Sequence, residues 1–241
     1  MTKILKYKKL YIVSGASNGL GFYIAKFFSK NSTVFAFYNK NNVKSTKNFI
    51  AKKIDLTKKR QIENFFIKNN KTIKSYKEIT FLSFATSKND QIITNLNYEK
   101  MIKDFKVNTF SNYYICSKLI ANNLNKKIKI IFFSSSYAIK GGDKGISVYS
   151  GTKIALEGLM RSIVSELSKF KITCNIIALG FFKSPLWDRL KESTKNKIFN
   201  KSPSKRLGRY NEIINTIKFI EKTEYFNGRY IELDGGFGLT D

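Results

Sequence analysis

Short, continuous apolar runs alternate with longer stretches of helical periodicity along this chain, and that alternation limits the fold more than any other feature. Residues 10–14 read as a buried strand. Residues 33–38, 50–55, 79–84, 128–133, 172–178 and 228–233 read as six more. Helices are expected over 19–29, 58–69, 98–123 and 149–170. Residues 184–204 are polar and irregular, so a loop with short helical pieces is expected there. Strands that are apolar on both faces and separated by helices are buried on both sides. The expected fold class is therefore α/β: a single doubly wound domain over residues 1–241, with a mostly parallel seven-stranded sheet flanked by helices on both faces.

The first strand runs into Ser14-Gly15-Ala16-Ser17-Asn18-Gly19-Leu20-Gly21. Glycine at these spacings permits a tight turn and lets backbone N–H groups approach a pyrophosphate. A helix starting at Gly19 would aim its positive end at the same place. Between the first strand and first helix of an alternating chain, such a loop points to a dinucleotide. A plain packing turn is the alternative. Asp55 closes strand three, where its carboxylate could accept a hydrogen bond from an adenine amino group. It could equally cap the next helix, a role also open to Thr57.

Tyr149 and Lys153 stand four apart at the head of a long helical stretch, so both project from one face. A lysine beside a phenol is expected to lower the phenol pKa from about 10 toward neutrality. A tyrosine so tuned exchanges protons at pH 7. Ser136 lies 13 residues upstream of the tyrosine.

Composition closes off other chemistries. The chain has no histidine, which removes Ser-His-Asp triads and histidine metal sites. Cys116 and Cys174 match no metal-ligand spacing, so reduced thiols and no metal are expected. No apolar run reaches the roughly 20 residues of a membrane span. The basic opening over 1–9 does not read as a secretion signal, and a cytoplasmic protein is expected. The formal charge of +27 raises the question of nucleic acid. Yet only six of the 44 basic residues are arginines, and the lysines spread along the whole chain. Arginine is the preferred reader of phosphates and bases. The charge is read as a solvated lysine-rich surface, with neither nucleic acid nor membrane as partner.

Taken together, these motifs resemble the short-chain dehydrogenase/reductase family, over almost the whole chain. Gly15, Gly19 and Gly21 resemble its cofactor loop, and Asp55-Leu56 its adenine-contacting pair. Asn108, Ser136, Tyr149 and Lys153 match its catalytic tetrad. The run from Asn175 to Gly180 is similar to its sixth-strand motif, with Leu179 in place of proline. The ending from Phe226 to Gly236 is similar as well. One departure stands out: the family's Asn-Asn-Ala-Gly turn after strand four reads Ser83-Phe84-Ala85-Thr86, so side chains at 84 and 86 are expected to crowd the nicotinamide pocket.

The resemblance implies a Rossmann-type fold and hydride transfer between a nicotinamide and a carbonyl or alcohol carbon. Tyr149 would protonate the oxygen. Lys153 would hold the ribose hydroxyls. Ser136 would bond the substrate oxygen, and Asn108 would hold a water relaying protons to Lys153. It further implies cofactor contacts from Ser17, Asn18, Leu20, Ala85, Gly180 and Phe182, and from Ser184 to the nicotinamide carboxamide. Strand two ends Phe37-Tyr38-Asn39-Lys40 without the acid that NAD selectivity usually needs. Lys40, with Lys44 nearby, could meet a 2′-phosphate, so NADP(H) is favoured and NAD(H) is the alternative.

The phrase from Lys205 to Arg209 and the C-terminal ending are most similar to 3-oxoacyl-(acyl carrier protein) reductases. An acidic carrier protein would suit a basic surface at Lys126, Lys127, Lys129, Lys169 and Lys171. Sugars, steroids and small ketones are alternative substrates, and a non-catalytic nucleotide-binding protein is an alternative of another class. Family analogy implies a homodimer or homotetramer, with Phe237-Gly238-Leu239 packing on a neighbour.

Overall fold

The computed structural model describes residues 9–141 and 144–239. The basic opening over 1–8 lies outside the described residues. The strands are β1 (Lys9–Ser14), β2 (Thr33–Tyr38), β3 (Phe49–Lys53), β4 (Glu78–Ser83), β5 (Lys127–Ser135), β6 (Ile172–Leu179) and β7 (Tyr230–Leu233). They form one sheet in the order β3-β2-β1-β4-β5-β6-β7, and every neighbouring pair is parallel. The expected strands are all present, with ends displaced by a residue or two.

The helices, in chain order, are α1 (Gly19–Phe28), α2 (Lys59–Lys74), α3 (Tyr98–Phe105), α4 (Ser111–Ala121), α5 (Ser136–Lys140), α6 (Ser147–Glu166), α7 (Pro185–Asp188), α8 (Glu192–Asn200) and α9 (Tyr210–Lys222). Strand alternation sends neighbouring residues to opposite faces. Leu10 and Ile12 of β1 pack with α2, α4 and α6, whereas Tyr11 and Val13 pack with α1 and α9. Two apolar layers therefore sandwich the sheet, which is why its strands are apolar throughout.

The helix expected over 98–123 is broken. A π-helical turn, Lys106–Phe110, separates α3 from α4. Residues 210–222, for which no element is expected, form α9, which buries Ile213, Ile214, Ile217 and Ile220 on one face. Their spacing is that of an amphipathic helix. The start of α9 is fixed by Glu212, which accepts from the Arg209 N–H at 2.6 Å and pairs with the Arg206 guanidinium at 2.6 Å. The 205–209 phrase is thus largely architectural, and Gly208 presses against the Phe182 ring.

Strand order reverses about β1 and β4. In open parallel sheets that switch point, at the carboxyl ends of the strands, is where ligands bind.

Candidate active site

Gly15 opens the loop after β1 with a φ of +76°. A Cβ there would lie 2.4 Å from the Ala85 nitrogen, and one on Gly21 would lie 2.4 Å from the Gly15 carbonyl oxygen. Only glycine lets the loop nest against the turn after β4 this tightly. The loop is tied down by Ala16 N–H to the Phe37 carbonyl at 2.8 Å, and by Asn39 N–H to Ser17 Oγ at 3.2 Å. Asn18 precedes α1 in extended conformation, so the first N–H groups of α1 face the loop.

Beside this loop lies a cavity of about 800 Å³. Gly15, Ser17 and Asn18 line it, as do Lys40 from the end of β2, Asp55 and Leu56 after β3, and Ala85 after β4. Seven of the expected cofactor residues are therefore brought together. Asp55 Oδ1 accepts from both the Thr57 N–H (2.9 Å) and hydroxyl (2.8 Å), so it braces the following turn while still lining the cavity.

Other expected contacts lie elsewhere. Leu20 packs on the core. Gly180 abuts Asp234. Phe182 is buried against Gly208, with its ring in the core rather than in the cavity. Ser184 Oγ accepts from the Trp187 N–H at 3.2 Å and caps α7. The altered turn after β4 is half as obstructive as expected. Phe84 turns inward and stacks on Phe133 with centroids 3.7 Å apart. Only Thr86 reaches the cavity wall.

The π turn presents Asn108, which is fully buried. Its Oδ1 accepts from the Ser87 N–H (2.7 Å), and its Nδ2 donates to the Ser87 carbonyl (2.7 Å) and to Thr152 Oγ1 (2.9 Å). Both amide donors are spent. Asn108 therefore clamps the chain after β4 onto α6, and its side chain has no donor to offer a relay water.

Lys153 is 4% exposed. Its Nζ donates to the Phe133 carbonyl at 2.9 Å and lies 5.9 Å from the Tyr149 ring centroid. Burial pulls its pKa down to about 8. The Tyr149 phenol moves opposite to expectation. Burial raises its pKa, and the Ser135 and Thr86 hydroxyls, which bond it, oppose that only in part. The physical reason is that Lys153 stays charged at neutral pH but is held by the Phe133 carbonyl of β5 rather than by the phenol, so it does not offset desolvation of the phenolate.

The serine also differs. Ser135 ends β5, precedes α5 and faces Tyr149. Ser136, one residue on, is 2% exposed, and its hydroxyl has no partner. The run Ser134-Ser135-Ser136 allowed either register, and spacing alone selected the wrong one for contact with the phenol. Ser87 and Arg189 carry no mark in the sequence. They line the cavity from loops, where no periodicity marks them.

A family model described as "Enoyl-(Acyl carrier protein) reductase" matches residues 15–238. The chain belongs to the short-chain dehydrogenase/reductase family. It is accordingly an oxidoreductase of CH–OH and C=O groups that uses a nicotinamide cofactor. It is 29% identical to a 3-oxoacyl-(acyl-carrier-protein) reductase of Buchnera aphidicola, covering 95% of this chain and 97% of that one. It is 27% identical to the mouse protein of the same name, covering 96% and 99%. Among solved structures, a 4-hydroxyisoleucine dehydrogenase complexed with NADH superposes with a TM-score of 0.84 at 20% identity, over 97% of this chain and all of the other. A mutant short-chain dehydrogenase/reductase of Serratia marcescens gives 0.85 at 20% identity, over 96% and 98%.

Three further expectations change. Lys129 is 3% exposed and donates to the Glu221 carbonyl at 2.6 Å. Lys127 is engaged by Glu78 and Glu224. Both sit in the first third of β5, so about 26 Å of strand separates Lys127, and about 20 Å separates Lys129, from Ser135 at its other end. Phe237 packs on its own chain, in a cluster with Trp187 and Ile198. Among the described residues, no helix is long and apolar enough to cross a membrane.

Proposed function

We propose that this chain is an NADPH-dependent reductase whose substrates are 3-oxoacyl thioesters. The observation that carries the reaction is the Tyr149–Lys153 pair: a phenol kept protonated by burial, beside a lysine, at the end of the sheet that holds the glycine loop. Such a phenol is a proton donor at neutral pH, which is what ketone reduction needs. The nicotinamide, when bound, supplies the hydride. Lys153 holds the ribose hydroxyls, and its positive charge favours the phenolate left after proton donation. Ser135, in place of Ser136, holds the substrate oxygen beside the phenol and stabilises charge developing there. Asn108 acts by positioning, through Ser87 and Thr152.

The glycine cradle and the lysine at the end of β2 fit a phosphorylated dinucleotide. β2 ends without a carboxylate, and Lys40 lines the cavity without an acidic partner among the described residues. That supports NADPH over NADH. The thioester reading draws its support from relatives that match end to end and are named for that reaction. Lys129, being interior, lends no support to docking of a carrier protein, and Lys127 is already paired. Exposed Phe110, Tyr113 and Ile154 support a homodimer or homotetramer. The buried free thiols of Cys116 and Cys174 fit a reducing cytoplasm.

The test follows NADPH absorbance with a 3-oxoacyl thioester and with a panel of unrelated ketones. The thioester is expected to be preferred, and Tyr149→Phe to lower kcat by about a thousandfold. kcat/KM reports the free enzyme, so it should fall as pH rises through about 8, where Lys153 loses its proton. Full turnover by Tyr149→Phe would end the mechanism. Equal rates on thioester and ketones would return the substrate to sugars, steroids or small ketones.

A further inference from the structure

The cavity carries more positive charge than its acids balance. Lys40, Lys103, Lys106 and Arg189 line it, against Asp55 and Glu99. None of the four cations has an acidic partner among the described residues. Some cations elsewhere are paired, as with Lys9 and Glu221 at 2.7 Å or Lys140 and Asp234 at 2.8 Å, although most of those among the described residues of this lysine-rich surface are not, so it is the convergence of four on one cavity that matters. Unpaired cations around one cavity suit a ligand bearing several phosphates.

Arg189 differs from the three lysines in where it comes from. It directly follows α7, the short helix that begins the loop over 184–204. The Pro185 ring lies 3.3 Å from where a Cβ on Gly19 would stand, so α7 hangs over the start of α1. Arg189 is four residues after Pro185 and shares its face, about 6 Å along. Trp187 faces away, buried against Phe181 and Phe199 with centroids 5.9 and 5.3 Å apart. The first turn of α1 is where a dinucleotide presents its pyrophosphate. Lys40, by contrast, follows two residues after the end of β2, where a dinucleotide places its adenosine ribose.

We propose that Arg189 is a clamp, carried on α7, for the pyrophosphate of the nicotinamide cofactor. The proposal rests on the dinucleotide reading above. The planar guanidinium engages two phosphate oxygens at once, a geometry lysine lacks. Cofactor binding then holds α7 down over the glycine loop. Because pyrophosphate is common to both nicotinamide cofactors, the clamp strengthens NADPH and NADH equally, whereas Lys40 acts on the 2′-phosphate alone.

Fluorescence titrations of NADPH, NADH and ADP-ribose at one fixed salt concentration test this without any substrate. Arg189→Gln should weaken all three by a common factor of about ten. Arg189→Lys should recover part of that loss, and Lys40→Gln should weaken NADPH alone. Lys191→Gln, which removes a nearby charge off the cavity, should change nothing. A loss confined to NADPH in Arg189→Gln would move the contact to the 2′-phosphate and overturn the clamp. Unchanged affinities would overturn it too, as would an equal loss in Lys191→Gln. If the wild-type chain binds none of the three ligands, the dinucleotide reading fails and takes the clamp with it.

Discussion

Ser135 and Ser136 are chemically identical neighbours, and one residue of chain decides which of them meets the phenol. Ser135 is the last extended residue of β5 and faces Tyr149, whereas Ser136 opens α5 and points into the interior. Sequence spacing located the serine cluster but could not choose within it, because the choice depends on where extended backbone turns helical. Ser135→Ala should cut kcat about a hundredfold with little change in KM, as expected for a group that stabilises developing charge. Ser136→Ala removes a buried hydroxyl without a partner and should leave kcat unchanged and the melting temperature equal or slightly higher. Steady-state kinetics and thermal melts of the two variants check this, and the opposite ranking of kcat would return the role to Ser136. The tyrosine and lysine, by contrast, were legible at once, since four residues on a helix fix a shared face. Their electrostatics were not, because desolvation is a property of packing that no spacing records.

At the scale of elements, every strand was legible because parallel strands buried on both faces leave continuous apolar runs. The helices were less so. The π turn at 106–110 is set by Asn108 reaching Ser87 and Thr152, contacts made across the fold rather than along the chain. α9 escaped although its isoleucines carry the helical period, and with it escaped a polar hub. Glu221 accepts from Lys9 Nζ (2.7 Å), from Thr80 (3.0 Å) and from Tyr11 (3.0 Å), while its carbonyl takes Lys129 Nζ. One carboxylate thus fastens α9 to β1 and β4, and burial, followed by the Glu221 charge and hydrogen bond, holds the Tyr11 phenol in its neutral form. Glu221→Ala would leave a largely buried lysine and two hydroxyls without an acceptor, at a cost of about 3 kcal/mol. Lys127→Ala breaks a more exposed cluster and should cost less than about 1 kcal/mol. Urea unfolding compares them directly. Equal losses would mean that Glu221 is no more than another surface acid.

For the molecule as a whole, charge is the dominant fact, and composition exposed its size but not its placement. Of the lysines expected on one docking surface, Lys129 proved to be interior and Lys127 already paired. The cations that matter for binding, around the cavity, come from three separate stretches of the chain, at Lys40, at Lys103 and Lys106, and at Arg189. A net charge of +27 repels itself in every compact state. Raising ionic strength from about 20 mM to about 300 mM shortens the screening length from about 20 Å to about 6 Å. Repulsion between surface lysines acts over longer distances than the ion pairs, so screening should remove more destabilisation than stabilisation. The melting temperature should therefore rise by a few degrees over that range. Cofactor affinity should fall over the same range, because the cavity attracts phosphates through the same excess of cations. The two trends run in opposite directions from one cause. Melts and cofactor titrations across a single salt series check them together. A melting temperature that falls with salt would mean that the ion pairs, Glu221 and Asp234 foremost, outweigh the lysine field. An affinity indifferent to salt would mean that the cations lining the cavity do not reach the phosphates.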